Sequence, residues 1–352
     1  MKKIVAVIMT LLVLVGCSSA NNTDGLQKTL KVFNWGSYIE PSLVKEFEDK
    51  FNAKVVYEMF DSNESMYIKV ESDPTYDVLF PTDYMIERLR LEDKLEKLDY
   101  SKIPNYKETL DTVKGRAMDP NEEYTAPYFW GSVGIVYDKT KVTLEELESQ
   151  GWLIFKNPKY AHQIFFLDSE RDAFMVATKS LGYSMNTTNE AELKEAYEWL
   201  VDMDKITHPI YNRDEIIDNM VAGVKPLATM YSGDATYVLA ENPNLAFYLP
   251  KEGTNQWMDA MVIPKGAKNI DLAHEWINFV LDKDNQKRIT EEIGYTSSRQ
   301  DVIDEVTAVG GKFEGIESYS TRTNYEKDEN YRFDEKTRVI LADLWQRAKN
   351  HD

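Results

Sequence analysis

The chain reads as an α/β protein whose mainly parallel sheets are flanked by helices. Two observations carry this. Short runs rich in β-branched and aromatic residues alternate with longer runs whose apolar residues recur every third or fourth position, and that alternation predicts parallel strands joined by helical crossovers. Leu30-Lys31-Val32-Phe33 alternates as a strand and ends at Asn34. Pro41 to Phe51 follows as a helix, with Leu43, Phe47 and Phe51 on one face. Proline suits its first turn, where no intrahelical partner awaits an N–H. Lys54 to Met59 is the second strand, and Asp77-Val78-Leu79-Phe80 is a third, stopped by Pro81. Gln163-Ile164-Phe165-Phe166 and Leu227-Ala228-Thr229-Met230 repeat the strand pattern. Asn189 to Asp202 is the clearest helix: Asn189 and Glu192 have capping-box spacing, and Leu193, Tyr197, Leu200 and Val201 form its stripe. Asp271 to Leu281 repeats it with Leu272, Trp276, Phe279 and Val280.

The first residues bear on compartment. Lys2 and Lys3 precede an apolar run from Ile4 to Val15, and Leu14-Val15-Gly16-Cys17 has the form of a bacterial lipobox. The run is too short to cross a bilayer and reads as a signal peptide, residues 1–16. Cleavage before Cys17 and lipidation of its thiol follow. Residues 17–27 then form a polar tether, and the protein stands on a membrane through lipid alone, facing the periplasm or exterior. The remaining chain suffices for two ordinary domains. The full sequence carries a formal charge of −19, and loss of Lys2 and Lys3 with the signal peptide leaves −19 − 2 = −21, which argues against nucleic acid and anionic lipid and favours small cations nearby. Cys17 is the only cysteine, so no intramolecular disulfide forms and stability rests on packing.

Ligands of parallel sheets bind beyond the carboxyl ends of the strands. Four segments fall on that edge: Trp35-Gly36-Ser37-Tyr38, Thr82-Asp83-Tyr84, Leu167 to Asp172, and Tyr231 to Asp234. Trp257-Met258-Asp259 likewise sets an indole beside an acid at the end of a strand-like run. Taken singly, each of these residues has a structural reading. A tryptophan is usually a core residue, Asp172 and Asp234 suit helix caps or turns, and Asp83 reads as a cap facing away from a ligand. Taken together, the recurrence of an aromatic beside an acid at strand ends points to capture of a cation. An ammonium needs carboxylates because an unpaired buried charge is very costly. Aromatic faces add roughly 0.5–2 kcal/mol each and pack against methylenes. A linear diamine or triamine therefore asks for acids at its ends and rings along its length.

Other chemistries fare worse. The four histidines (His162, His208, His274, His351) are scattered, with no plausible pair among them, so a zinc site is not expected. Asp168, Glu170 and Asp172 have a spacing that lacks the glycine and closing glutamate of an EF-hand. There is no Gly-x-Ser-x-Gly, P-loop or dinucleotide fingerprint, and no metal or cofactor is implied. A secreted glycosidase needs only two of the sixty acids and would use the aromatics for sugar stacking, so it stays open as an alternative.

The chain also resembles the polyamine-binding receptors of bacterial ABC importers, the putrescine and spermidine solute-binding proteins. The resemblance runs from about Leu30 to the C-terminus. It is carried by Asn34-Trp35, Asn63-Glu64-Ser65-Met66-Tyr67, Pro127-Tyr128-Phe129-Trp130-Gly131, Leu181-Gly182-Tyr183-Ser184, Asn186-Thr187-Thr188, Pro250-Lys251-Glu252-Gly253, Trp257-Met258-Asp259 and Ile293-Gly294-Tyr295. It implies a two-lobed periplasmic-binding-protein fold of type II with the ligand in the cleft. One lobe would comprise 28–131 plus about 258–298, the other 132–257 plus about 299–352. It also implies a monomeric, non-enzymatic receptor that delivers putrescine or spermidine to an ABC permease and ATPase. By position, Trp35 and Tyr38 (with Gly36 between) would form an aromatic wall, and Thr82 and Tyr84 would stand near an amine. Trp257 would stack on the methylenes, Asp259 would pair with an ammonium, and Tyr295 would close the same side. Asp172 falls where relatives usually carry glutamate. Tyr231 replaces a frequent tryptophan, Asp234 matches the acid of putrescine-type relatives, and Arg332 stands where spermidine-type relatives have glutamine. An arginine there, facing the cleft, would repel a third charge or neutralise an acid, which tilts the reading toward putrescine. A same-fold receptor for another cation or an amino acid, or a sensor or adhesin subunit, would share most of these features.

Overall fold

The computed structural model describes residues 28–350 and realises the alternation. The leader, Cys17 and the tether lie outside the described residues. Strand β1 (Lys28–Trp35), helix α1 (Ser42–Phe51), β2 (Ala53–Phe60), α2 (Asn63–Ser72), β3 (Val78–Leu79), α3 (Asp83–Leu91) and β4 (Leu95–Glu96) come first. Then follow β5 (Ala126–Asp138), α4 (Leu144–Gln150), β6 (Ile164–Leu167), α5 (Glu170–Leu181), α6 (Glu190–Thr207), β7 (Ile210–Asn212), α7 (Glu215–Val221), β8 (Leu227–Tyr231), α8 (Ser232–Glu241) and β9 (Leu245–Tyr248). The chain continues through β10 (Gln256–Met261), β11 (Ile263–Pro264), α9 (Ile270–Val280), α10 (Lys283–Ile293), β12 (Thr296–Ser297), α11 (Gln300–Thr307) and α12 (Glu335–Asn350).

The expected parallel pairs form where a helix provides the crossover. β1 lies between β2 and β3, in register from Lys28 opposite Ala53 to Trp35 opposite Phe60, and β6 lies between β7 and β8. The antiparallel pairs all belong to returning segments. β5 is buried along its whole length. Its first half pairs antiparallel with β10 and β12, and its second half with β8 and β9. A single seven-stranded sheet results, in the order β10-β5-β8-β6-β7 with β9 and β12 also on β5. An isolated bridge between Thr82 and Asp259 joins the end of the first sheet to β10. It brings together segments that lie far apart in sequence.

The helices bury the faces read from the sequence. Leu43 and Phe47 of α1 are fully buried, and Phe47 meets Trp276 of α9 edge-on at 4.9 Å. Pro41 stands just before α1 as its cap rather than inside it. Asn189 caps α6 by accepting the N–H of Ala191 at 3.0 Å. Glu192, however, accepts from the Thr187 hydroxyl and the Asn189 amide instead of closing a capping box. A complete box forms at Thr143 and Glu146 of α4. Helix α6 continues past Asp202 to Thr207 because Met203 and Thr207 also reach the core.

Candidate functional site

Asp259 sits in the middle of β10 rather than at a strand end, its side chain 6% exposed. The Thr82 hydroxyl donates to one of its oxygens at 2.6 Å and the Tyr38 hydroxyl to the other at 2.8 Å. Burial raises this carboxyl to about 6, against the pull of those two hydrogen bonds. It is therefore mostly ionised at neutral pH and poorly solvated, which primes it for a cation.

Two further acids occupy first turns of helices that leave strand ends. Asp172 lies in the first turn of α5, just after β6, and Asp234 in that of α8, just after β8. Both carboxylates gain from the positive end of their helix. Ser169 caps α5 and donates its hydroxyl to Asp172 at 2.7 Å, and the Tyr231 hydroxyl donates to the same oxygen at 2.7 Å. The Asn255 amide approaches the other oxygen at 3.4 Å. Asp172 is buried and its carboxyl is raised by desolvation despite these partners. Asp234 accepts the Tyr295 hydroxyl at 2.7 Å and is only partly buried. Desolvation lifts it to about 7. Each of the three acids is thus hydrogen-bonded to one tyrosine.

Those tyrosines form a continuous wall with Trp257. Tyr38 meets Tyr295 edge-on at 5.3 Å, Tyr295 meets Trp257 at 5.3 Å, and Trp257 meets Tyr231 at 6.2 Å. The indole N–H of Trp257, the amide oxygen of Asn255 and the hydroxyl of Tyr331 are buried without a hydrogen-bond partner. Two glycines make the wall possible. A Cβ at Gly131 would lie 2.5 Å from the Trp257 ring, and one at Gly233 would lie 2.3 Å from the Tyr295 ring. Gly233→Ala is therefore expected to push Tyr295 off Asp234. Ligand affinity should fall at least tenfold, about 1.4 kcal/mol, with the fold retained by circular dichroism. Unchanged affinity in calorimetry would show that the ring position is immaterial.

The structure brings together most of the residues singled out from sequence: Tyr38, Thr82, Asp172, Tyr231, Asp234, Trp257, Asp259 and Tyr295. Others differ. The Trp35 indole donates to the Phe80 carbonyl at 2.8 Å and packs on Phe60. Gly36 is exposed and lines an outer cavity of about 550 Å³ with Glu58, Asp61 and Lys69. Tyr38 and Tyr84 are buried rather than in open turns, and Tyr84 belongs to α3. Asp83 is not the cap. Thr82 holds that place, while Asp83 is wholly buried with one oxygen on the Tyr84 N–H and the other unpartnered. Desolvation raises it to about 8, so it is largely neutral at pH 7. Arg332 does not turn toward the three acids. Its guanidinium binds Glu87 of α3 at 2.7 and 3.1 Å, because the backbone N–H of Phe333 fixes that same carboxylate at 2.8 Å. His162 and His208, distant in sequence, stack at 4.8 Å. Sequence reasoning missed Asn255 and Tyr331, and it reached Ser169 and Arg171 only as part of the ligand-edge segment 167–172, with no role of their own. Tyr331 adjoins Arg332, so there only side-chain direction separated the residue that joins the site from its neighbour. Among the described residues, no group of three or more His, Cys, Asp or Glu is placed to hold a metal ion, and no helix is long and apolar enough to cross a membrane.

A largely buried row of carboxylates and rings can hold a flexible cation with charges at its ends. Comparison with known proteins agrees with that chemistry. Residues 42–312 match the bacterial extracellular solute-binding protein family. The spermidine/putrescine-binding periplasmic protein of Salmonella typhimurium is 32% identical over 284 residues, 80% of each chain. The solved spermidine/putrescine ABC transporter substrate-binding protein PotD of Streptococcus pneumoniae superposes with a TM-score of 0.78 at 33% identity, covering 92% of this chain and 99% of that one. The Tp0655 lipoprotein of Treponema pallidum gives 0.77 at 27% identity, covering 92% and 99%. The fold is that of the type II periplasmic binding proteins, and the chain belongs to the bacterial extracellular solute-binding protein family.

Proposed function

We propose that this protein captures a polyamine, putrescine or spermidine, outside the cytoplasmic membrane and delivers it unchanged to an ABC permease and its ATPase. The observation that carries the reading is the row of three acids, two buried and one partly buried, each tied to a tyrosine and linked by an aromatic wall. A terminal ammonium on Asp259 and another on Asp234 or Asp172 would leave the methylenes against Trp257. The unpartnered Asn255 oxygen and Tyr331 hydroxyl offer further acceptors. Residues 28–131 with 258–298 form one lobe in this reading, and 132–257 with 299–352 the other. β5 and the start of β10 cross between them as the hinge. Binding shifts the lobes toward closure because only the closed form touches the ligand from both sides. Cys17 carries the lipid that holds a monomer at the membrane, and nothing in this reading asks for a cofactor.

Titration calorimetry tests it directly. The protein is unfolded, dialysed and refolded to strip carried ligand, then titrated with putrescine and with spermidine. Micromolar or tighter binding of either amine is expected. Folded, ligand-free protein that gives no heat with both would sink the polyamine reading.

A further inference from the structure

Residues 327–333 form a strap that is anchored on one set of elements and touches another at its apex. At its start, the Lys179 ammonium of α5 pairs with Glu329 and donates to the Lys327 carbonyl at 2.7 Å. The Glu329 N–H donates to the Thr254 carbonyl at 3.0 Å, and the Asn186 amide donates to the Asn330 carbonyl at 2.8 Å. Past the strap, α12 packs on α5 and α6, and its Trp345 indole donates to Asp168 at 3.1 Å. The apex lies against α3. There the Arg332 guanidinium grips Glu87 at 2.7 and 3.1 Å, and the Phe333 N–H donates to the same carboxylate at 2.8 Å. Glu87 is buried, whereas Arg332 is half exposed. Tyr331 of the strap meets Tyr84 of α3 at 6.4 Å nearly at right angles, within electrostatic reach of Asp172 and Tyr231. Arg171 of α5 faces the same two rings, its guanidinium carbon 3.7 Å from the centre of Tyr84 and 6.0 Å from that of Tyr331. One of its nitrogens is 3.4 Å from Glu64 of α2. Arg171 adjoins Asp172, however, so the pairing of Glu87 with Arg332 is the contact that can be cut without disturbing the acids.

We infer that Glu87 and Arg332 form a latch that closes the strap over bound ligand and sets how slowly the ligand leaves. The inference rests on the polyamine reading above and its two lobes: α3 belongs to one lobe, the strap and its anchors to the other. A contact that spans the lobes forms only when they close, so its free energy is added to the closed form alone. Paired, charge-assisted hydrogen bonds between a guanidinium and a carboxylate are among the stronger ones. Opening must break them before the ligand departs, whereas a ligand entering the open form meets no latch. The latch therefore acts on release rather than on capture. Glu87 and Arg332 are positioning residues, which hold Tyr331 against Tyr84.

Stopped-flow tryptophan fluorescence of the refolded, ligand-free protein, with putrescine and with spermidine, separates the two rates. In Arg332→Met the dissociation rate is expected to rise by about fivefold or more, with the association rate within about twofold of wild type. Arg332→Lys, which keeps the charge and one hydrogen bond, should quicken release less than Arg332→Met. Glu87→Gln should quicken it in the same direction, and it carries the test if Arg332→Met does not fold. The melting temperature of Arg332→Met without ligand should match that of the wild type, because the open form lacks the latch. The rise on adding putrescine should be smaller. A folded Arg332→Met protein with the wild-type dissociation rate would overturn the inference. So would a lower melting temperature without ligand together with an undiminished rise on adding putrescine, the mark of a permanent tie between α3 and the strap. A wild type that binds neither amine would instead be the failure of the polyamine reading itself.

Discussion

Asp259→Asn is expected to weaken polyamine binding by at least about thirtyfold while the protein still folds. The two hydroxyls that converge on Asp259 come from Tyr38 and Thr82, so both oxygens are held in place before any ligand arrives. The amide that replaces the carboxylate fits the same space and can still accept one of those hydrogen bonds, so the packing of β10 survives. The attraction for a desolvated ammonium does not. Removing one partner of a buried, hydrogen-bonded charge pair costs roughly 2–5 kcal/mol, which is about 30- to several-thousand-fold in affinity. Burial already raises the carboxyl of Asp259 to about 6, so its charge is a burden to the ligand-free fold. Asp259→Asn should therefore match or exceed the wild type in thermal stability without ligand, and lose most of the stabilisation that saturating putrescine gives. Calorimetry and a thermal scan with and without putrescine check both. Wild-type affinity in Asp259→Asn would remove this residue from the site.

The second large effect is on pH. Desolvation raises Asp259 to about 6 and Asp234 to about 7 from an ordinary 3.8, while aliphatic ammoniums stay charged below pH 8. Binding requires both carboxylates ionised, so each proton bound to the free protein competes with the ligand. Affinity should be full near pH 8, begin to fall through 7, and fall more steeply below 6. By pH 5 the two protonations together imply a loss of about a hundred- to a thousandfold. The partial exposure of Asp234 favours the lower figure. Stability should move the opposite way in the free protein. An acid whose folded value is raised keeps its proton where the unfolded chain has lost it. These two groups therefore favour the folded state increasingly as pH falls from about 7 toward 4. With putrescine bound, the same acidification should destabilise. A pH-independent putrescine affinity between 5 and 8 would show that neither acid contacts an ammonium.

The local elements were legible from residue patterns, and the site was partly so. The apolar stripes of α1, α6 and α9 and the strand-like runs of β1, β2, β6 and β8 follow from periodicity, which depends on nearest neighbours along the chain. The same patterns put Asp172, Tyr231 and Asp234 at strand ends, and they fixed the residue types suited to a polyamine. Tertiary structure alone decided which side chains meet. Tyr38 and Thr82 reach Asp259 across separations of 221 and 177 residues, through a long-range bridge that no local period encodes. It decided that the arginine over the aromatic faces is Arg171 rather than Arg332, because Glu87, fixed by the backbone of residue 333, captures the latter. It also decided that Asp83 is buried and largely neutral rather than a solvated cap. Periodicity assigns a residue to a face. Its partners, its charge state and the direction of its last few bonds depend on whatever the crossovers bring against that face.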